Sequence, residues 1–406
     1  MNLFENVDIA APSFKSDPFP FYARLRAEKP VCKVRLPIKQ DAWLVARYDD
    51  VSRLLKDTRL AKDPANAMTP EQLALQLNPP KMFAPLTKNM LGLDDPDHAR
   101  LKRLVQAGFT PRRVEALAGR TEEIAERLLD RLVGKAQFDL VNDFALPLPV
   151  TVISELLGVP QADRARFARW SHTLLSTPLG SWRMILSLPD IVRFMRYLRK
   201  LVEMKRKAPG DDLVSALVAI EAESERLSGD ELLAMIAILL SAGHETTTNL
   251  IANGTAALLQ QPDAFERLKA EPQLIDTGIE ELLRYDGPVA HTTFRYAKED
   301  IEIAGAHIPK GGMVLGLIAS ANRDEGQFTH SDLIDLARAP NRHLTFGEGG
   351  HYCVGAALAR MEGRVAFTAL LRRFPQLSVS EPTDSLQWRE GLVLRGLRRL
   401  PVRTGR

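Results

Sequence analysis

Phe346-Gly347-Glu348-Gly349-Gly350-His351-Tyr352-Cys353-Val354-Gly355 is the stretch on which the reading of the chain turns. Three glycines within four residues let the backbone turn tightly and approach a neighbour closely. A helical stripe follows, with Leu358, Met361, Val365 and Ala369 on one face. Cys353 is therefore expected at a helix N-terminus, where unpaired N–H groups and the helix dipole favour the thiolate. A thiolate cradled by backbone donors suits one soft metal centre. The only other cysteine is Cys32, which excludes a four-cysteine zinc or iron–sulfur site and a disulfide framework. One thiolate is enough for a haem iron. For an arbitrary cysteine the alternative is a buried structural residue at a helix start; the glycine run and flanking Phe346 argue against it here.

Outward from that loop, the chain has 406 residues, 45% hydrophobic and 26% charged. That is ordinary globular composition, long enough to enclose a sizeable ligand. With 54 basic and 51 acidic residues the formal charge is +3, too balanced to argue for nucleic-acid binding. The start, Met1 to Ala10, carries Glu5 and Asp8 and lacks the plan of a signal peptide. The longest apolar run, Leu232 to Leu240, is nine residues, against about twenty for a membrane span. These features predict a cytoplasmic protein with no membrane partner.

The text is mostly helical. Trp43 to Ala46 reads as a strand entering a helix near Tyr48, and the proline-rich Ala61 to Leu91 as a long irregular segment. Helical spacing runs from Pro111 onward. Arg164 to Lys207 is a basic, apolar stretch in which Pro178-Leu179-Gly180 and Pro189 predict two helices and a turn. The clearest helix runs from Gly229 to Gln260, opened by a Ser228/Glu231 capping box and stopped by Pro262. At about 1.5 Å per residue it spans roughly 45 Å. A shorter helix carries Ile275, Ile279 and Leu282 and ends at Gly287. Leu392 to Val402 reads as a closing hairpin. The fold class is mainly α with a minor β region, in one domain over residues 1–406.

Several chemistries are excluded. His244-Glu245 begins like a zinc-protease signature, but Thr248 stands where the second histidine belongs. No P-loop or Gly-x-Ser-x-Gly elbow occurs, and Tyr352 replaces the third glycine of a dinucleotide fingerprint.

Phe346-x-x-Gly349-x-x-x-Cys353-x-Gly355 matches all four positions of the haem-binding signature of the cytochrome P450 monooxygenases, and the chain resembles that family's soluble bacterial members over nearly its whole length. The resemblance implies a triangular, mostly helical fold holding haem b between the long helix and the cysteine helix, with Cys353 as the axial metal ligand and Phe346 and Gly347 against the cofactor. Ala242-Gly243-His244-Glu245-Thr246-Thr247 is similar to the family's oxygen-binding motif. It implies that Ala242 and Gly243 lie over the haem, that Thr246 holds a water or reduced dioxygen, and that Glu245 relays protons. A glycine amid polar residues is also a poor mid-helix choice, and threonine back-bonds predict local opening of the helix. Glu281 and Arg284 fit the family's buried Glu-x-x-Arg, a structural pair, with Asn341-Arg342 as the partner segment. The same resemblance assigns the haem carboxylates to His98, Lys102, Arg295 and His351. Lys102 stands where many relatives have arginine and offers a point charge rather than a fork.

The implied reaction combines substrate, dioxygen, two electrons and two protons to give a hydroxylated or epoxidised product and water. About fifty residues follow Cys353, too few for a fused reductase, so electrons are expected from NAD(P)H through a separate ferredoxin or flavodoxin and its reductase. A basic patch of Lys102, Arg103, Arg112, Arg113, Arg342, Arg360 and Arg364 is the expected docking surface on a monomer. The implied pocket is lined by Met82, Phe83, Met90, Leu91, Leu175, Met235, Ile238, Leu239, Val289, Ala290, Leu392 and Val393. That lining suits an apolar small-molecule substrate, of the macrolide or polyketide kind or another secondary metabolite. A peroxide-driven enzyme acting on fatty acids or terpenoids, and a non-catalytic haem-binding protein, are the alternatives. The intact Glu245-Thr246 pair argues against both.

Overall fold

The computed structural model describes residues 7–74, 89–106, 109–164, 166–167, 169–170, 183–223 and 227–405. Its central element is the helix Gly229–Gln260, 32 residues with both hydrogen bonds of the Ser228/Glu231 capping box present. Its first half packs with Phe194, Leu198 and Leu201 of the helix Arg183–Lys207 and with Leu213–Glu223. Its second half belongs to a separate cluster with Leu282 of the helix Ile275–Asp286 and Met361 and Phe367 of the helix Ala356–Arg373, the cysteine helix. One helix therefore joins two cores.

A five-stranded sheet flanks the helices. Its strands are β1 (Val31–Arg35), β2 (Asp41–Val45), β3 (Leu60–Ala61), β4 (Arg295–Ala297) and β5 (Met313–Gly316), in the order β1-β2-β5-β4-β3. The β2–β5 pair is parallel, with Ala42 opposite Met313, and the others are antiparallel. The sheet brings Lys62, just after β3, beside the Thr293–Arg295 segment.

Three sequence expectations differ from the structure. The long helix is unbroken through Ala242–Thr247. Thr246 Oγ1 donates to the Ala242 carbonyl at 2.8 Å and Thr248 Oγ1 to that of His244 at 2.8 Å, and packing on both sides absorbs these back-bonds without opening the ladder. Pro189 lies inside the helix Arg183–Lys207 rather than ending it. The buried face from Phe194 to Val202 outweighs one missing N–H bond. The closing hairpin is shifted. Arg389 N–H donates to Gly396 O at 2.9 Å and Arg398 N–H to Gln387 O at 2.8 Å, whereas Pro401–Arg403 joins a three-stranded sheet with Gln137–Asp139 and Ser378–Val379.

Candidate active site

The cysteine loop is built from its glycines. Gly347 and Gly349 take φ of 71° and 69°, a region side chains disfavour. A Cβ on Gly349 would meet Leu55 O at 3.2 Å. The Cys353 N–H donates to Phe346 O at 2.9 Å, closing the turn. Ser52 Oγ donates to Glu348 at 2.6 Å, and Arg360 lies 4.5 Å from the centre of the Phe346 ring.

Cys353 is accessible, yet it sits deep among protein atoms. Burial pushes its thiol up, while the Gly355 N–H, Arg360 and Lys102 pull it down. The expectation of an easily ionised thiol is therefore corrected. The backbone donor acts in the expected direction, but desolvation outweighs it until a cation binds the sulfur.

Beside the loop lies a group of basic side chains. The His98 and His351 rings stack at 3.9 Å. Arg295 is buried with its Nε unpartnered among the described residues. Lys62 was not singled out from the sequence. It is 6% exposed, donates to Thr293 Oγ1 and to Phe294 O, and has its amine held down to about 7 by burial and by Arg295. Burial, with His98, Lys62, Arg295 and Lys102, holds His351 down to about 2. The nearby anion Asp94 already accepts the N–H groups of Lys62 and Asp63 and the Asn66 amide. A buried group of basic side chains, some held uncharged by burial and by their neighbours, fits a ligand carrying more than one carboxylate. Lys102 has a different position. Its Nζ donates to Gly350 O at 2.5 Å and Tyr352 O at 3.1 Å, so it props the cysteine loop.

The long helix presents Ile238, Ala242, Gly243 and Thr246 as its accessible row at helical spacing. Of the expected lining, Ile238, Val289, Leu392, Val393, Met90 and Leu91 keep accessible surface. Met235 and Leu239, at 1% and 7% exposure, belong to the core instead, and Ala290 is buried at 2% where its N–H donates to Val393 O. Met82, Phe83 and Leu175 lie outside the described residues. His291 ties this wall together. Its ring bonds to Tyr22 Oη at 2.8 Å and to Leu392 O, and burial pushes it down to about 3.

Glu245 is buried, which raises its pKa. Arg389, 3.9 Å away, and Lys15 oppose that rise. Glu281 accepts from Arg284 at 2.7 and 2.8 Å, Asp335 N–H at 2.9 Å, and Arg338 and Asn341 at 3.0 Å each. Arg284 in turn donates to Asn322, Ser331 and Leu333 carbonyls, fixing the segment before the cysteine loop. Among the described residues Arg342 contributes its carbonyl, which accepts from Tyr48 Oη at 2.7 Å. His343 pairs with Glu280 rather than facing the cation group.

A family model described as Cytochrome P450 matches residues 18–399. The chain belongs to the cytochrome P450 family. This P450 is 43% identical to the polyketide biosynthesis cytochrome P450 PksS of Bacillus subtilis, over 96% of each chain. The solved PksS structure superposes with a TM-score of 0.91, at 40% identity, covering 98% of this chain and all of that one. It is 41% identical to 6-deoxyerythronolide B hydroxylase of Saccharopolyspora erythraea, over 98% of both. The structure of P450BioI in complex with hexadec-9Z-enoic acid ligated acyl carrier protein matches with a TM-score of 0.86, at 35% identity, over 97% of this chain and 99% of that one. The P450 fold and an oxidoreductase of the monooxygenase type follow, with a haem-thiolate cofactor. Among the described residues no helix is long and apolar enough to cross a membrane.

The expected electron-partner patch is largely occupied by internal contacts. Arg360 pairs with Glu280 at 2.7 Å, Arg364 with Asp276 at 3.1 Å and Arg113 with Asp211 at 3.6 Å, and Lys102 is on the loop carbonyls. The side chain of Arg112 lies outside the described residues.

Proposed function

We propose that this P450 hydroxylates or epoxidises an apolar, polyketide-like or other secondary metabolite, with haem b on Cys353 and its two carboxylates on Lys62, Arg295, His98 and His351. The observation that carries the reading is the cation group beside the cysteine loop, across from the accessible row of the long helix. Bound there, the haem supplies dioxygen reduction and cleavage. Thr246 Oγ1, anchored on the Ala242 carbonyl, presents a hydroxyl to that space. Glu245, one residue earlier, is the carboxyl that relays protons inward, and burial favours its protonated form more than in water. The apolar wall around Ile238, Val289, Leu392 and Val393 excludes water and orients a greasy substrate. Electrons come from NAD(P)H through a separate ferredoxin or flavodoxin and its reductase to a monomeric, cytoplasmic, single-domain enzyme. The substrate class is supported by the relatives named for polyketide biosynthesis and for 6-deoxyerythronolide B hydroxylation.

The test is the spectrum of dithionite-reduced holoprotein with and without carbon monoxide, followed by turnover of a macrolactone with a surrogate ferredoxin system. A strongly red-shifted Soret band and an oxygenated product are expected. A spectrum of histidine ligation, or dioxygen consumption without any oxygenated product across polyketide-like substrates, would overturn the reading.

A further inference from the structure

The helix Arg183–Lys207 carries eight basic and two acidic residues, a formal charge of +6. The whole chain carries +3, so the remaining residues sum to −3. The charge is not scattered. Arg193, Arg196, Lys200 and Lys207 recur on one exposed face, with Arg199 and Arg206 beside them. Arg193 is neutralised by Asp190 and Arg206 by Glu203 and Glu221. Among the described residues no ion pair joins Arg196, Arg199, Lys200 or Lys207. Leu186, 69% exposed, continues the same face one heptad before Arg193.

We propose that this face docks a small acidic helical protein that carries the substrate as a thioester on a long tether, an acyl carrier. The proposal rests on the oxygenase reading above and names how the substrate arrives. Three observations select this occupant. First, from Arg193 to Lys207 the row runs about 21 Å, the length of one partner helix of four turns. Opposite charge along such a row steers association and fixes register. Second, the row lies over the pocket side of the molecule. The opposite face of its helix shares one core, through Phe194, Leu198 and Leu201, with Leu232, Met235, Ile236 and Leu239 of the long helix, and the partly buried Ile238 packs against that core. The long helix packs on the cysteine helix through its other half, so the basic helix and the cysteine helix meet different parts of it. An electron donor gains nothing by binding here, whereas a tethered chain reaches the pocket. Third, a membrane surface fits less well, because among the described residues the apolar side of the helix from Ile191 to Val202 is committed to the core and Leu186 is the exposed large hydrophobic residue.

The probe is a recombinant acyl carrier protein loaded with a palmitoyl chain, titrated against the ferric holoprotein by anisotropy of the labelled carrier and by the Soret shift. Free palmitate and anionic phosphatidylglycerol vesicles are run in parallel. Loaded carrier is expected to bind more tightly than free palmitate, with affinity falling steeply as salt is added. The triple reversal Arg196→Glu/Arg199→Glu/Lys200→Glu is expected to weaken carrier binding at least tenfold and leave the palmitate shift unchanged. The neutral triple Arg196→Gln/Arg199→Gln/Lys200→Gln gives a smaller loss in the same direction, and stands in if the reversal does not fold. Carrier binding equal in wild type and the folded triple, no preference for carrier over free palmitate, or an interaction seen only with anionic vesicles would each overturn the proposal. Failure of the oxygenase reading shows separately, in the carbon monoxide spectrum of the wild type.

Discussion

Lys62 and Arg295 are both buried at the ends of neighbouring strands, where Arg295 pushes the Lys62 amine down against the opposing charge of Asp94, and Asp94 and Asp57 oppose the burial of Arg295. Burial and the partner charge hold Lys62 down to about 7, and burial holds Arg295 down to about 10. In the haem-free protein the folded state therefore binds fewer protons than the unfolded chain between about pH 7 and pH 10. Stability should rise with pH across that window. Lys62→Met should flatten the rise in urea midpoints of the haem-free protein and, in the loaded protein, speed haem loss to a scavenger. A haem off-rate unchanged by this substitution would remove Lys62 from the carboxylate site.

Glu281 accepts five hydrogen bonds with no exposed side-chain surface. Glu281→Gln leaves Arg284 and Arg338 facing a neutral amide in the interior. Breaking a buried pair in this way costs about 3–5 kcal/mol. The expected result is a large drop in the thermal midpoint and little folded holoprotein. The exposed pair Arg267/Glu271 serves as the control, where Glu271→Gln should move the midpoint hardly at all.

Among the described residues the Thr246 hydroxyl bonds to its own helix carbonyl at Ala242, so its removal should spare the fold. Thr246→Ala is expected to keep the thermal midpoint, because alanine is the better helix former. Product formed per NAD(P)H consumed should fall by about tenfold or more, with hydrogen peroxide accounting for the difference. Glu245→Gln should slow dioxygen turnover and flatten its pH dependence. Arg389→Leu should move the acid limb upward, since Arg389 opposes the burial that raises the Glu245 carboxyl. Product coupling by Thr246→Ala equal to wild type would take the hydroxyl out of proton delivery.

His291 is pushed to about 3 by burial, against an unfolded value near 6.5. The unfolded chain binds the extra proton between those values, so stability contributed by neutral His291 is lost as pH falls from about 6.5 toward 3. His291→Gln should lessen that acid sensitivity. It should also loosen the link that the His291 ring makes between Tyr22 and Leu392, weakening substrate binding while the carbon monoxide band stays in place. Equilibrium unfolding at pH 4 and pH 7, with spin-shift titrations, checks both.

Much of this architecture was legible because local chemistry and tertiary structure agree. The capping box at Ser228 and Glu231 and the stop at Pro262 gave the long helix its observed ends. The glycine spacing before Cys353 needs left-handed backbone at Gly347 and Gly349, which few other residues supply. Glu281 and Arg284 stood out only through the family pattern, because i,i+3 pairs such as Glu203/Arg206 look the same on the page and are exposed in the structure. Lys62 and Arg338 carry no local signal. Each becomes important through a partner far away in sequence, at Thr293 and Glu281 respectively. The last hairpin lies earlier in the chain than its sequence suggests because Pro401–Arg403 is drawn off by Gln137–Asp139. No local pattern announces such a long-range pairing.

The helix Gly229–Gln260 contributes Leu232 to Leu240 to one core and Leu250 to Leu258 to the other. It behaves as a shared beam, and neither half of the molecule can melt while the beam stays whole. Amide hydrogen exchange along it should show two slow blocks at these segments, separated by faster positions around Ala242 and Gly243, where the row meets accessible space. The slow blocks should exchange together, at the rate of global opening. Cutting the chain inside this helix should yield fragments that fold only when mixed.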